Sequence, residues 1–135
     1  MSHNASTITV GLKGQKSVAT SAEMSALSMG SGSVKDTFAT PAMLALMEGA
    51  AVTAIEPLLA ENEASVGIAV NFKHLAATPI GNTIRAEAVV TAIAGRKISF
   101  EITVHDEHEL VGQGTHDRVI IDRERFAKGL AKKQK

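Results

Sequence analysis

Residues 40–55 read TPAMLALMEGAAVTAI, and Glu48 is the sole charged side chain among them. Thr40 suits an N-cap, Pro41 suits the first helical position, and Pro57 breaks or kinks the chain just beyond, so the stretch is expected to be a helix over about 41–55. It is apolar nearly all round, and such a helix must be covered on most sides rather than lie on a surface. One sheet cannot cover it on every side, so a second subunit is expected to contribute. A carboxylate in these surroundings is costly unless it has a partner or a task, which makes Glu48 the first candidate functional residue.

The rest of the chain supplies strands. Residues 7–20 carry Ile8, Val10 and Leu12 in alternation, interrupted by Gly11 and Gly14, and read as a first strand with a kink or bulge. Residues 21–33 are small and polar, a loop with room for one helical turn. Residues 65–74 alternate with Val66, Ile68, Val70 and Phe72 on one face and Gly67, Ala69, Asn71 and Lys73 on the other. Strands over 83–93, 97–105 and 110–121 come next, joined by hairpin-like turns, and Asp122 caps a short terminal helix through Phe126 and Leu130. The 135 residues suit one α+β domain over 1–135, with residues 1–6 and 131–135 expected to be flexible ends. A curved antiparallel sheet of about five strands wrapped around one central helix is the simplest assembly.

Composition narrows the functions. Lys plus Arg and Asp plus Glu number 14 each, so no global field favours nucleic acid or an anionic membrane. Trp and Tyr are absent, which leaves little for base stacking. No Cys is present, which removes disulfides, thiolate metal sites and Cys nucleophiles and fits a reducing compartment. The N-terminus lacks the pattern of a signal peptide, and no apolar run reads as long enough to span a bilayer, so the cytoplasm is the expected location.

Five short segments carry a resemblance. They are Ala39-Thr40-Pro41-Ala42, Leu46-Met47-Glu48, Val66-Gly67, His74-Leu75-Ala76-Ala77-Thr78-Pro79-Ile80-Gly81, and Gly114-Thr115-His116-Asp117-Arg118. In order and spacing they resemble the hotdog-fold thioesterases typified by the fluoroacetyl-CoA thioesterase family, over about residues 14–126. The resemblance implies a hotdog fold, hydrolysis of a small acyl-CoA-type thioester to free acid and thiol, and a Thr, Glu and His acting together at Thr40, Glu48 and His74. It also implies substrate-binding roles for Gly67 and Arg118. No cofactor is expected beyond the CoA of the substrate itself, and no metal. The expected partners are the acyl-CoA substrate and further copies of the chain, as a homodimer or higher oligomer with the cleft at the subunit interface. Where the fluoroacetyl-specific enzyme has an aromatic lid, residues 31–38 offer Phe38 alone, a third substrate-binding candidate. Small acyl groups other than fluoroacetyl are therefore expected to be accepted, with no special preference for fluorine.

The chemistry fits these residue types. Thioester hydrolysis needs a nucleophile or activated water, a proton carrier, and donors for the developing oxyanion. A helix N-terminus supplies unpaired N–H groups and a positive dipole end, where Thr40 sits. His74 can shuttle a proton or orient Thr40, and Glu48 can serve as base or nucleophile, with His74 as its expected proton partner. The order of attack, Thr40 or Glu48, stays open. Glu48→Gln is expected to remove turnover while leaving folding intact or improved.

Taken singly, each residue has a plainer role. Thr40 serves as an N-cap worth roughly 1 kcal/mol. His74 is a strand-end histidine, Gly67 a packing or bulge glycine, Arg118 an ion-pair residue, and Met43 and Met47 are core. His116 reads as structural, and His105-Asp106-Glu107-His108-Glu109 as a solvated turn rather than a metal site. Gly112-Gln113-Gly114 is no dinucleotide fingerprint, since no strand-to-helix turn comes after it. The alternative function is a non-catalytic hotdog protein that binds an acyl or other small ligand. A hotdog hydratase is disfavoured, because no Asp–His arrangement of that sort lies on the central segments.

Overall fold

The computed structural model describes residues 7–134. The ladder begins at β1 (Lys13–Ala19), shorter than the expected 7–20, because Gly11 turns the chain with a φ of 96°. A 3-10 turn at Ala22–Met24 comes next, and then the central helix α1 (Thr40–Ile55). Its N-cap is Ala39 rather than Thr40, with Pro41 in the first turn, so Thr40 is already helical and its hydroxyl is released from capping. Pro57 ends the helix in a 3-10 turn, Glu56–Leu58. By length and composition alone Thr40–Leu58, 19 residues with mean hydropathy 1.2, would pass for a membrane span, which overturns the expectation that no run is long enough. Here it is a core helix packed on β1 and β3.

The strands β2 (Glu63–His74), β3 (Thr83–Ala94), β4 (Lys97–His105) and β5 (Leu110–Asp122) complete one antiparallel sheet of order β1-β3-β4-β5-β2. Strict alternation puts Ile84, Ala86, Ala88 and Val90 of β3 and Ile98, Phe100, Ile102 and Val104 of β4 under the helix. Contact is close because Gly14 lacks a Cβ: one there would strike the Ala50 carbonyl and the Ala54 backbone. The helix α2 (Arg123–Ala131) closes the chain, capped by Asp122 accepting from the Arg125 N–H at 3.0 Å, and a 3-10 turn Lys132–Gln134 continues it. The residues 1–6 and 135, which include part of the expected flexible ends, lie outside the described residues.

Strand β2 departs from the simple alternation. Its pairing with β5 runs Gly67 opposite Arg118 and then Ala69 opposite Asp117, so Ile68 is an extra residue, a β-bulge. Paired residues share a face, and His116, Arg118 and Ile120 face the helix side. Ser65 and Gly67 therefore face inward before the bulge, and Val70, Phe72 and His74 after it. Val66, expected on the face of Phe72, points the other way and lines a shallow groove with Phe126 and Leu130 of α2.

One chain leaves part of the helix open, as expected of a single sheet. Pro41 and Ala45 are exposed, Leu44, Glu48 and Val52 half-buried, and together they make one stripe. Near it runs the free edge of β2, where Ile68 and Val70 are 54% and 41% exposed.

Candidate active site

At the amino end of α1, Thr40 Oγ1 lies 2.8 Å from His74 Nδ1. Helix and strand end supply one residue each, and the bulge is what turns the even-numbered end of β2 toward the helix. Burial pushes His74 below the ordinary histidine value, opposed in smaller measure by the Ala76 backbone. A neutral imidazole carries its proton on one nitrogen only, and in the tautomer that leaves Nδ1 bare the Thr40 hydroxyl donates to it. His74 Nε2 is buried without a hydrogen-bond partner among the described residues. The helical ladder begins with Met43 N–H donating to Ala39 O at 3.0 Å, and Pro41 has no N–H, so the N–H groups of Thr40 and Ala42 precede it.

Glu48 sits two turns further along, about 12 Å at 1.5 Å per residue, and does not meet His74. Its partner is Arg118: Nη1 donates to Glu48 Oε2 at 3.2 Å. The expectation of a carboxylate enclosed by apolar groups is corrected, since the Glu48 side chain is 39% exposed while that of Arg118 is 8% exposed. Arg118 is held from behind, with Nε donating to Ser65 Oγ at 2.9 Å and Nη2 to Ser65 O at 3.0 Å. The carboxylate it binds is thus the protein's own, and its guanidinium is turned away from solvent. Gly67 makes room for this pair: a Cβ there would lie 2.6 Å from Glu48 Oε2 and 3.0 Å from His116 Cε1.

Phe38 is 1% exposed and belongs to the core. It helps line a cavity of about 280 Å³ between α1 and β1, with Met24, Met29, Ala42 and Leu46. At about 100° per residue, Ala42 and Leu46 point well away from Glu48, while Ala45, which also lines the cavity, borders the exposed stripe that carries Glu48. The structure thus brings Thr40 to His74, and Glu48 to Arg118 under Gly67, as two clusters on one chain.

Sequence reasoning passed over Ser65 and read His116 as structural. The signal for His116 was available, since it lies two residues before Arg118 on one strand and so shares its face. The turn after β4 is tied internally: Asp106 accepts from Thr78 Oγ1 at 2.9 Å and from the N–H groups of His108 and Glu109 at 2.8 and 2.9 Å. Among the described residues no group of three or more His, Asp or Glu is gathered for a metal.

Comparison with known proteins gives concordant matches. The model of the family described as fluoroacetyl-CoA-specific thioesterase (FlK) matches residues 19–124. A fluoroacetyl-CoA thioesterase of Streptantibioticus cattleyicolor is 41% identical over 91 residues, 67% of this chain and 66% of that protein, so the match spans just under two thirds of the relative. A solved structure of an FlK mutant in complex with acetyl-CoA superposes with a TM-score of 0.89 at 29% identity, over 95% of this chain and 100% of that one. A hot-dog-like protein from Thermanaerovibrio acidaminovorans superposes with a TM-score of 0.84 at 22% identity, over 92% of this chain and 91% of that one, which speaks to the fold alone. With a hotdog sheet around its central helix and the family pattern running over most of its length, the chain belongs to the fluoroacetyl-CoA-specific thioesterase family.

Proposed function

We propose that this chain hydrolyses a small acyl-CoA thioester to free acid and CoA thiol, as a homodimer with its sites at the subunit interface. The observation that carries the reading is the 2.8 Å pair of Thr40 and His74 at the open amino end of α1. Thr40 Oγ1 attacks the thioester carbonyl and its proton passes to His74 Nδ1, where burial keeps the imidazole unprotonated and ready to accept. The oxyanion forms beside the N–H groups of the first helical turn. Collapse expels the CoA thiolate, which takes the proton from His74, and water then releases the acid from the acyl-threonine.

Glu48 enters through the second copy. It lies about 12 Å from Thr40 on its own helix, along the exposed stripe. A two-fold axis passing near Leu44, midway between positions 40 and 48, sets Glu48 of each copy beside Thr40 of the other, as an isologous contact requires. From there the carboxylate takes a proton from the water that attacks the acyl-threonine, and the proton is returned to Thr40 Oγ1 as the acid leaves. The apolar stripe of α1 and the free β2 edge, with Ile68 and Val70 exposed, support this interface.

Thiol release from a panel of acyl-CoAs tests the activity; stabilisation by ligands without turnover would favour a binding protein instead. Mixing tests the shared site. Thr40→Ala and Glu48→Gln homodimers are each expected to be inactive, and their heterodimer to regain one working site. No regain on mixing would place Glu48 in its own chain's site or outside the chemistry.

A further inference from the structure

His116 is 3% exposed and fixed on three sides. Its ring stacks on Phe100 of β4, with centroids 6.2 Å apart and planes at 27°. Its Nδ1 lies 2.8 Å from the Ala69 carbonyl on β2. A carbonyl can only accept, so the proton is on Nδ1 and the ring donates there. Its Nε2 lies 3.1 Å from Arg118 Nη1, which can only donate, so Nε2 is the acceptor. The same Nη1 donates to Glu48 Oε2 at 3.2 Å, closer than the 3.8 Å between that oxygen and His116 Nε2. Each atom thus has one role consistent with its neighbours. The charged and titratable groups facing the ring are Arg118 on its own strand and Glu48 from α1; β2 presents the Ala69 carbonyl and β4 the Phe100 ring.

We propose that His116 is a positioning residue for the thioesterase reaction: locked by the Ala69 carbonyl as the Nδ1–H tautomer, it accepts from Arg118 and so aims the guanidinium that holds Glu48. The proposal rests on the reading of Glu48 as part of the thioesterase site. The bulge belongs to the device, since it interrupts the β2–β5 ladder between Gly67 and Ala69, next to the carbonyl that reads the ring. Arg118 has two fixed points on Ser65, and the acceptor at His116 supplies the third, which sets the direction of Nη1.

Two substitutions separate aiming from mere packing. His116→Gln places an amide oxygen near the position of Nε2 and keeps an acceptor for Arg118, while giving up the bond to Ala69. His116→Asn keeps a donor for Ala69 and gives up the acceptor. If His116 aims Arg118, His116→Gln keeps most of the wild-type kcat, whereas His116→Asn loses on the order of 10²-fold in kcat with KM little changed, the scale of a misplaced catalytic group. A second readout needs no turnover: a slowly exchanging Arg118 Nη1–H resonance is expected in wild type and His116→Gln and absent in His116→Asn. Equal kcat and equal Arg118 spectra for the two variants would overturn the proposal. A wild type that turns over no acyl-CoA yet shows the expected Arg118 spectra would instead refute the thioesterase reading and leave the positioning intact.

Discussion

Gly67→Ala adds one methyl group at the point where strand, helix and guanidinium meet. The added Cβ would lie 2.6 Å from Glu48 Oε2, 3.0 Å from His116 Cε1 and 3.4 Å from Arg118 Nη1. Gly67 is not among the glycines with positive φ, so the backbone accepts alanine without strain. The imidazole is pinned between Phe100, Ala69 and Arg118 and yields little, whereas the carboxylate ends a flexible side chain that is 39% exposed. Glu48 Oε2 therefore retreats by about 0.8 Å to reach ordinary contact at 3.4 Å, which breaks its 3.2 Å bond to Arg118. A displacement of that size at a catalytic group costs about 10²-fold in rate. Stability moves much less. The lost surface-side bond and the tight contact to His116 are opposed by the lower chain entropy of unfolded alanine, about 0.4–1 kcal/mol. The net change is expected to be within about 1 kcal/mol, or roughly 4 °C in Tm for a chain of this length. Thermal melting and thiol release on one preparation test this split. Wild-type kcat in Gly67→Ala would refute the close approach of Glu48, and a collapse of Tm would show that Gly67 serves packing rather than the site.

The same geometry sets other expectations. Glu48→Gln should lower turnover by about 10²-fold or more and also lower stability, by about 1 kcal/mol or less given the exposure of Glu48, because the buried Arg118 loses its anionic partner; an unchanged Tm would contradict the pairing. Because burial lowers His74 below its ordinary value of 6.5, the unfolded chain binds the extra proton first, so stability from this residue is full above about pH 6.5 and lost as pH falls through the folded value; Tm should fall on acidification, and His74→Asn should flatten that slope. The same lowered value puts the acid limb of kcat/KM below pH 6.5, and a limb above it would contradict the buried base. Ile68→Glu, at a position 54% exposed beside the free edge, should yield monomers in light scattering, and an unaltered oligomer would move the interface elsewhere. Acetyl-CoA and fluoroacetyl-CoA should differ by less than about tenfold in kcat/KM, the scale of one small group in an apolar pocket, since residues 31–38 hold one aromatic and it is buried in the core.

The fold was legible because its signals were periodic. The β4 strand 97–105 was readable to the residue from strict alternation, and Asp122 was readable as an N-cap from its place before Arg123 and Phe126. What misled was local chemistry that tertiary contacts overrode. Thr40 before Pro41 looks like a cap, yet the helix starts one residue earlier, and the hydroxyl goes to His74, 34 residues away. The bulge at Ile68 left one ambiguous mark in sequence, Gly67, which reads equally as a packing or a bulge glycine, while 65–74 otherwise alternates as a regular strand would. Its consequence, that Gly67 and His74 share a face despite their odd and even positions, could not be read before the register with β5 was known. Arg118 and His116 were readable as neighbours on one face, but not as an ordered relay toward Glu48.

The isolation of Glu48 in sequence has two physical sources. On one flank its oxygen meets Arg118, a residue 70 positions later that no helical pattern around Glu48 could announce. On the other flank the neighbours that a surface glutamate would normally have are Pro41, Leu44, Ala45 and Val52, which a single chain leaves partly open. A solvated stripe would carry polar residues at these positions, because exposed apolar area of this kind is not favoured on a monomer. A stripe covered by a second helix would instead keep them apolar and retain a charge only where that charge has work across the seam. The pattern that makes Glu48 conspicuous is therefore the pattern expected of an interface, and in the proposed dimer the carboxylate would be reached both by Arg118 of its own chain and by the second copy.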